Sequence, residues 1–412
     1  MRFVFDLIDK YIFSLFVGAV VDRYVLGLFI RVLVICFITL AGLYCVVDFM
    51  NNLQEFTSYG QKLGTSTLAV AVDYYHNRLF WFFDLTSGIF AMMAGVFAIT
   101  WLQRTNELTA LMAAGIGPWR IIKPLVFATI TVAGLGVVNR ECCLPQMRDK
   151  LSRNAQDWLG EAANVCTPIY DNQTGVLIAG KFTFANEKRI NSPSFSQFPS
   201  ELAAWGPRII AADAYYQAPA DGRPGGFLLR NVSQPSDLAK TKSLSLGAEK
   251  ILFSPTDTPW LKRGECFVAS GITFDQLTVG NSWRQYQSTR ELLAGLSNKS
   301  LNYGADVRLI VHDRFIRPLL DVTLLFLGIP LVFWAGNRNI WLAAGMSLGL
   351  MASFFAVVNF SHALGTNYLI RADLAAWLPL LVFAPLGYTF ARPLWDSGEV
   401  RPGRADGPTR TQ

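Results

Sequence analysis

Six stretches of about twenty apolar residues, each bounded by charge, constrain this chain more than any other feature, because a helix of that length is what a bilayer core of about 30 Å requires. They run over 24–47, interrupted only by Arg31; 85–103; and 121–139, with Lys123 near its start. After a long polar interval come 315–336, 340–362 and 374–391. The aromatic run Phe80-Trp81-Phe82-Phe83 stands before the second stretch, as a ring belt at a membrane interface does. The sequence therefore predicts an α-helical membrane protein with six transmembrane helices, three and three. The average composition, 52% hydrophobic and 16% charged over 412 residues, excludes a disordered chain and the usual soluble mixture. A net charge of +6 with scattered basic residues gives no basis for a nucleic-acid partner.

Boundaries follow from the same pattern. Residues 1–23 read as an interfacial amphipathic segment on the cytoplasmic side, with a cleaved signal as the alternative, since 11–21 is apolar but Asp6, Asp9 and Lys10 lie beside it. Residues 24–140 hold the first three spans, 141–312 an inserted domain, 313–393 the last three spans, and 394–412 a polar cytoplasmic tail. Lys and Arg in the short connections set the orientation. With Arg23, Arg104, Arg120, Lys123, Arg338 and Arg392 inside, both termini are cytoplasmic and 141–312 faces outward, which in a Gram-negative-type inner membrane is the periplasm.

The inserted segment reads as an all-β, jelly-roll-like domain. Val176-Leu177-Ile178-Ala179 and Lys181-Phe182-Thr183-Phe184 are short strand-like runs, 209–216 partly alternates, and the turn at 221–226 leads into Phe227-Leu228-Leu229. Cys142, Cys143, Cys166 and Cys266 fall on this side; a Cys166–Cys266 bridge and unpaired thiols are both open readings. Cys36 and Cys45 sit in the first span as small apolar residues.

Catalytic signatures do not emerge. There is no G-x-x-x-x-G-K-[ST] loop, and His76, His312 and His362 are too dispersed for a familiar zinc spacing. His312-Asp313 has no accompanying G-x-S-x-G elbow. The chain is expected not to be an enzyme and to hold no cofactor, its energy coming from a gradient or another subunit. The stretch 103–123 reads QRTNELTALMAAGIGPWRIIK. Thr105 or Asn106 can cap a short helix over 105–115, Glu107 falls in its first turn where the dipole favours a carboxylate, and Gly115, Gly117 and Pro118 end it. That is either a coupling helix on the cytoplasmic face or an ordinary inter-helix loop.

Several of these stretches resemble the lipopolysaccharide-export permease family of LptF/LptG type. The carrying residues are Asp22-Arg23-Tyr24, Asn106-Glu107-Leu108-Thr109-Ala110-Leu111 with Ala113-Ala114-Gly115-Ile116, Arg290-Glu291-Leu292-Leu293, and Leu327-Gly328-Ile329-Pro330-Leu331. The resemblance implies a transmembrane permease subunit that extracts lipopolysaccharide or a related glycolipid from the inner membrane. Its implied partners are a second permease subunit, alike or identical, a cytoplasmic ATPase dimer that binds the ATP, and a periplasmic bridge protein. Glu107 would meet a basic side chain of the ATPase, within a coupling set of Arg104, Glu107, Leu108, Leu111 and Gly115. The alternative function is a non-transporting scaffold or sensor whose β domain binds an envelope partner.

Four ionisable residues at or inside the spans are candidates for the lipid pathway, because burying a charge in a bilayer is costly. They are Arg31, which can also snorkel, Asp48 at the outer mouth of the first span, and Arg317 with Asp321. The last two are spaced i, i+4, so an ion pair on one helical face is the competing reading. Some family members carry a basic residue where this chain has Asp48, and many have proline where it has Gly88. Gly345-x-x-x-Gly349 offers a small-residue stripe for helix contact.

Overall fold

The computed structural model describes residues 20–396 apart from 161–162, 221–222, 237, 239, 248, 279–281, 302–304 and 335–339. The expectations for residues 1–19, for the tip of the turn at 221–222, for Arg338 and for the tail beyond 396 lie outside the described residues. In chain order the helices are α1 (Val20–Asn51), α2 (Leu53–Leu63), α3 (Thr67–Arg104), α4 (Glu107–Ala113), α5 (Pro118–Val138), α6 (Leu144–Leu151), α7 (Phe274–Thr278), α8 (Thr289–Ser297), α9 (Ala305–Trp334), α10 (Ile340–Thr366) and α11 (Ala372–Asp396). Among the described residues six are long and apolar enough to cross a membrane: α1, α3, α5, α9, α10 and α11. Three precede and three follow a central antiparallel sheet, as the hydropathy pattern requires.

The chain divides into two compact units, the first comprising Met1–Asp48, Leu79–Asn139 and His312–Gln412. Its centre is α3, whose small residues Gly88, Ala91, Gly95 and Ala98 recur at one-face spacing and admit α9 closely. A Cβ at Gly95 would stand 2.5 Å from Leu325 Cδ1, and one at Gly88 would stand 2.0 Å from Asp321 Oδ1. Ala91, Ala94, Ile99 and Leu102 of α3 pack with Val25 and Phe29 of α1, Ile121, Leu125 and Val132 of α5, and Leu325 and Ile329 of α9. A second group joins Met92 and Val96 to Leu320, Leu324 and Leu327 of α9, Phe354 of α10 and Phe383 of α11. Asp313 lies 3.3 Å from His362 Nε2, and Ser361 donates to the Ala375 carbonyl at 2.6 Å, so α10 is tied to α11 by a hydrogen bond. The spans differ sharply in burial: 61% of the apolar window of α3 is inside the unit but only 22% of those of α1 and α10. The last two therefore keep broad apolar faces for lipid or another protein.

The second unit comprises Phe49–Arg78 and Arg140–Val311. Sequence reasoning gave 49–78 to the span region, yet packing puts it here. Phe56, fully buried, stacks on Phe49 and meets Tyr74 edge-on, and Tyr74 in turn meets Trp158. The Tyr59 hydroxyl donates to the Gln156 carbonyl at 2.6 Å, and Lys150 pairs with Asp73 at 2.9 Å. α2 and the start of α3 are thus held by aromatic packing to a segment far along the chain, which hydropathy alone does not register.

Among the described residues eleven strands follow: β1 (Asn164–Val165), β2 (Ile169–Asp171), β3 (Val176–Ala179), β4 (Phe182–Phe184), β5 (Arg189–Asn191), β6 (Ser194–Ser196), β7 (Arg208–Gln217), β8 (Gly226–Gln234), β9 (Leu244–Leu246), β10 (Glu249–Phe253) and β11 (Cys266–Ala269). The order is β1-β4-β5-β7-β8-β11-β10-β9, with β2-β3-β6 joining at β7, and the pairings are antiparallel. β7 makes the fork: its first half pairs with β6 through Phe195↔Ile209, and its second half pairs with β5 through Ile190↔Ala214. Inward residues of both branches, including Ile178, Phe195, Ile209, Phe227 and Val268, close one core. Asp171 is fully buried beneath it and accepts from the Gln173 and Thr174 amides at 3.0 and 3.2 Å and from Ser270 Oγ at 2.6 Å. As expected, an antiparallel sheet domain lies in the middle of the chain; its strands occupy 164–269, and α6, α7 and α8 flank them. The Ser288–Glu291 capping box that starts α8 was available in the sequence. All six cysteines are free, with Cys166 and Cys266 in the β core.

Candidate functional site

The turn between α3 and α5 is built by competing backbone preferences. At the end of α3 the Thr105 hydroxyl donates back to the Trp101 carbonyl at 3.0 Å rather than forward, so it caps nothing. Asn106 takes a left-handed conformation, φ 60°, with no side-chain cap bond. α4 therefore spans only Glu107–Ala113, shorter than the 105–115 read from the sequence. Gly115, at φ 82°, reverses the chain where an L side chain would be strained, and Pro118 opens α5 without losing a hydrogen bond.

Of the five residues assigned to coupling, two point inward. Leu108 is 5% exposed and packs in the helical core, and Leu111 packs against the same group. Leu108 anchors α4, and Leu111, partly buried, adds to that anchor while keeping part of its surface exposed. Arg104 and Gly115 are exposed, as are Thr109, Ala110, Met112 and Ala113, which form the outer face of α4.

Glu107 is half-buried and acquires a partner that sequence spacing did not indicate. The Tyr24 hydroxyl near the start of α1 comes within hydrogen-bonding reach of its carboxylate, and the Trp101 ring nitrogen within reach of Tyr24. Two residues earlier, Asp22 pairs with Arg120 of α5 at 3.0 Å. Gln103 adds a third tie, its Nε2 donating to the Val332 and Phe333 carbonyls of α9 at 3.3 Å. The segment thus sits in a polar clasp linking the beginning of α1, both flanks of α4 and the end of α9. Tyr24, Trp101, Arg120 and Gln103 were missed as site residues. The available signal was that Asp22-Arg23-Tyr24 and the stretch around Glu107 carry the same resemblance.

The candidate lipid-pathway residues do not converge. Arg31, exposed, and Asp48, half-buried, lie on α1 about 25 Å apart at 1.5 Å per residue. Arg317 reaches across to α3, donating to the Asp84 carbonyl at 2.8 Å and the Leu85 carbonyl at 3.3 Å, with its other nitrogen 3.7 Å from the Asp84 carboxylate. The Asp321 carboxylate fills the space that Gly88 leaves without a side chain. Both act in holding α9 against α3.

Outside the spans, burial raises the Cys166 thiol to about 11 and pushes Cys266 up further. Neither is a ready nucleophile at neutral pH.

Among the described residues, six helices able to cross a membrane, a forked antiparallel β unit between the third and fourth of them, and a short clasped helix between the second and third define a multi-pass membrane protein. A family model described as lipopolysaccharide export system permease LptF/LptG matches residues 23–193 and 229–392, most of the chain. The chain belongs to that family and is a multi-pass inner-membrane protein with a lipopolysaccharide-export permease role. No curated protein matches it.

Proposed function

We propose that this chain is one of two permease subunits of an ATP-driven exporter that extracts lipopolysaccharide or a related glycolipid and passes it to a periplasmic bridge protein. It is not itself an enzyme; ATP is bound and hydrolysed by a cytoplasmic ATPase dimer. Both termini and α4 face the cytoplasm, and the β unit, jelly-roll-like in its forked sheet, faces the periplasm. The second permease packs on the apolar faces that α1 and α10 leave uncovered.

The observation that carries this reading is the clasp around α4. A partner that grips the outer face of α4, Thr109, Ala110, Met112 and Ala113, moves a helix whose inner face is locked by Leu108 and Leu111. Through Glu107 and Tyr24 that movement reaches α1, one of the two least buried spans. A half-buried carboxylate–phenol contact suits this role because it fixes register at low cost in burial. Arg104 and Glu107 also offer charges to a basic or acidic partner groove.

The test is co-expression with the ATPase and second permease of the same organism, followed by purification and measurement of lipopolysaccharide-stimulated ATP hydrolysis. The complex should copurify, and Met112→Asp on the outer face of α4 should abolish association. Failure of the wild-type chain to bring down an ATPase sinks the exporter reading and favours a scaffold.

A further inference from the structure

A cavity of about 730 Å³ opens between α5, α9 and α11 in the first unit. Its walls include Ile130 and Gly134 of α5, Leu319 and Phe326 of α9, and Leu380 and Tyr388 of α11. Thr323, also in the wall, has its hydroxyl engaged with the Leu319 carbonyl of its own helix at 2.7 Å, so it offers no unmet donor to water. Gly134 leaves the hollow open: a Cβ there would meet nothing within 4 Å. Leu319, Ile130 and Tyr388 are all more than half exposed, so the hollow continues onto the outer surface of the spans. At that depth the solvent is hydrocarbon, and a dry apolar hollow between spans is filled by hydrocarbon or by protein.

Charge at one end selects the occupant. Trp119 of α5 and Trp395 of α11 meet edge-on with ring centroids 5.6 Å apart, and Trp395 also meets Phe326 and Tyr388, closing that end with an interfacial aromatic group. Lys123 lies seven residues before Ile130 and eleven before Gly134, which places it on the same face of α5. Arg392 lies one turn beyond Tyr388 on α11, and both cations are exposed. The wall of α9 from Pro318 to Phe326 is about 12 Å long, close to one leaflet, half of a core about 30 Å thick.

We propose that this groove holds an anionic phospholipid, its acyl chain against Gly134, Leu319 and Leu380 and its phosphate at Lys123 and Arg392. Basic pockets between spanning helices bind acidic headgroups on the same physical grounds. The proposal needs only the spans and is independent of the exporter reading. It gives the chain a resident bilayer lipid on a face formed by α5, α9 and α11.

The full-length chain in nanodiscs, with phosphatidylglycerol bearing a diazirine on its acyl chain, tests this by irradiation and mass-spectrometric mapping of the labelled peptides. Labelling should concentrate on 126–137, 318–327 and 380–390. Gly134→Leu should lower it about tenfold, with folding checked by thermal stability and monodispersity. The double variant Lys123→Gln/Arg392→Gln should lower phosphatidylglycerol labelling about tenfold relative to wild type while leaving labelling by the matching phosphatidylcholine probe within twofold, and it carries the test if Gly134→Leu fails to fold. Labelling no higher than at other lipid-facing residues, or unchanged in the double variant, overturns the proposal. So does displacement by lipopolysaccharide but not by unlabelled phosphatidylglycerol, or a copurifying apolar helix that protects the groove.

Discussion

Gly88 and Asp321 form a matched pair whose removal can be worked through quantitatively. In Gly88→Ala the new methyl would lie 2.0 Å from Asp321 Oδ1 and 2.5 Å from Cγ, against an ordinary contact of at least 3.4 Å. The carboxylate must move by more than 1 Å, into a seam where Asp84 and Arg317 are already in place. Overpacking of this kind costs about 1–3 kcal/mol, equivalent to a shift of about 5–150-fold in the folding equilibrium. Asp321→Ala removes the colliding atoms, so the double variant Gly88→Ala/Asp321→Ala should recover most of the loss, a coupling of about 1–3 kcal/mol in a double-mutant cycle. Equilibrium unfolding in mixed detergent micelles, read by tryptophan fluorescence and compared across the four proteins, measures it. If Gly88→Ala is neutral, or if Asp321→Ala does not rescue it, the close approach of α9 to α3 at this level is refuted.

Four further outcomes follow from individual residues. The Asp22–Arg120 pair is half-exposed on the arginine side, so Asp22→Asn should change thermal stability by only about 0–1 kcal/mol while lowering lipopolysaccharide-stimulated hydrolysis in the assembled complex. Asp171→Ala leaves two buried amides and the Ser270 hydroxyl without their acceptor and should destabilise the β unit by about 3 kcal/mol or more, seen as rapid proteolysis within 164–269. Iodoacetamide at pH 8 should modify exposed Cys142 well before Cys166. Because folding holds the Cys166 thiol at about 11 rather than its ordinary 9.0, its contribution to stability is complete below pH 9 and is lost as pH rises towards 11, as an alkaline thermal scan should show.

The spans were legible because bilayer thickness writes itself into runs of apolar residues, and 85–103 falls wholly within α3. What hydropathy did not register was the continuation of those helices beyond the apolar runs. Thr67–Arg78 continues α3 into the second unit through Phe56, Tyr74 and Trp158, contacts between segments too distant in sequence for any local pattern to announce. The strands at 176–179 and 209–216 were readable from β-branched and alternating residues, whereas the fork at β7 depends on which half of one long strand each neighbour takes. At the site, the motif around Glu107 was visible but its inner and outer faces were not. Leu108 looks like a docking residue in one dimension and becomes an anchor in three, because the helix is only two turns long and its apolar side must be covered. The pairing of Tyr24 with Glu107 joins two stretches that sequence alone showed only as separate resemblances. Gly88 is explained by the carboxylate opposite it.

The central claim is that ATPase movement reaches α1 through the contact between Glu107 and Tyr24. Tyr24→Phe removes the hydroxyl that makes this contact and leaves the outer face of α4 untouched, so the most direct measurement is lipopolysaccharide extracted per ATP hydrolysed by the reconstituted complex in proteoliposomes. Assembly and ATPase binding should be unchanged and extraction per ATP should fall at least tenfold, about 1.4 kcal/mol of lost coupling. Unchanged extraction per ATP in a fully assembled Tyr24→Phe complex would contradict the account.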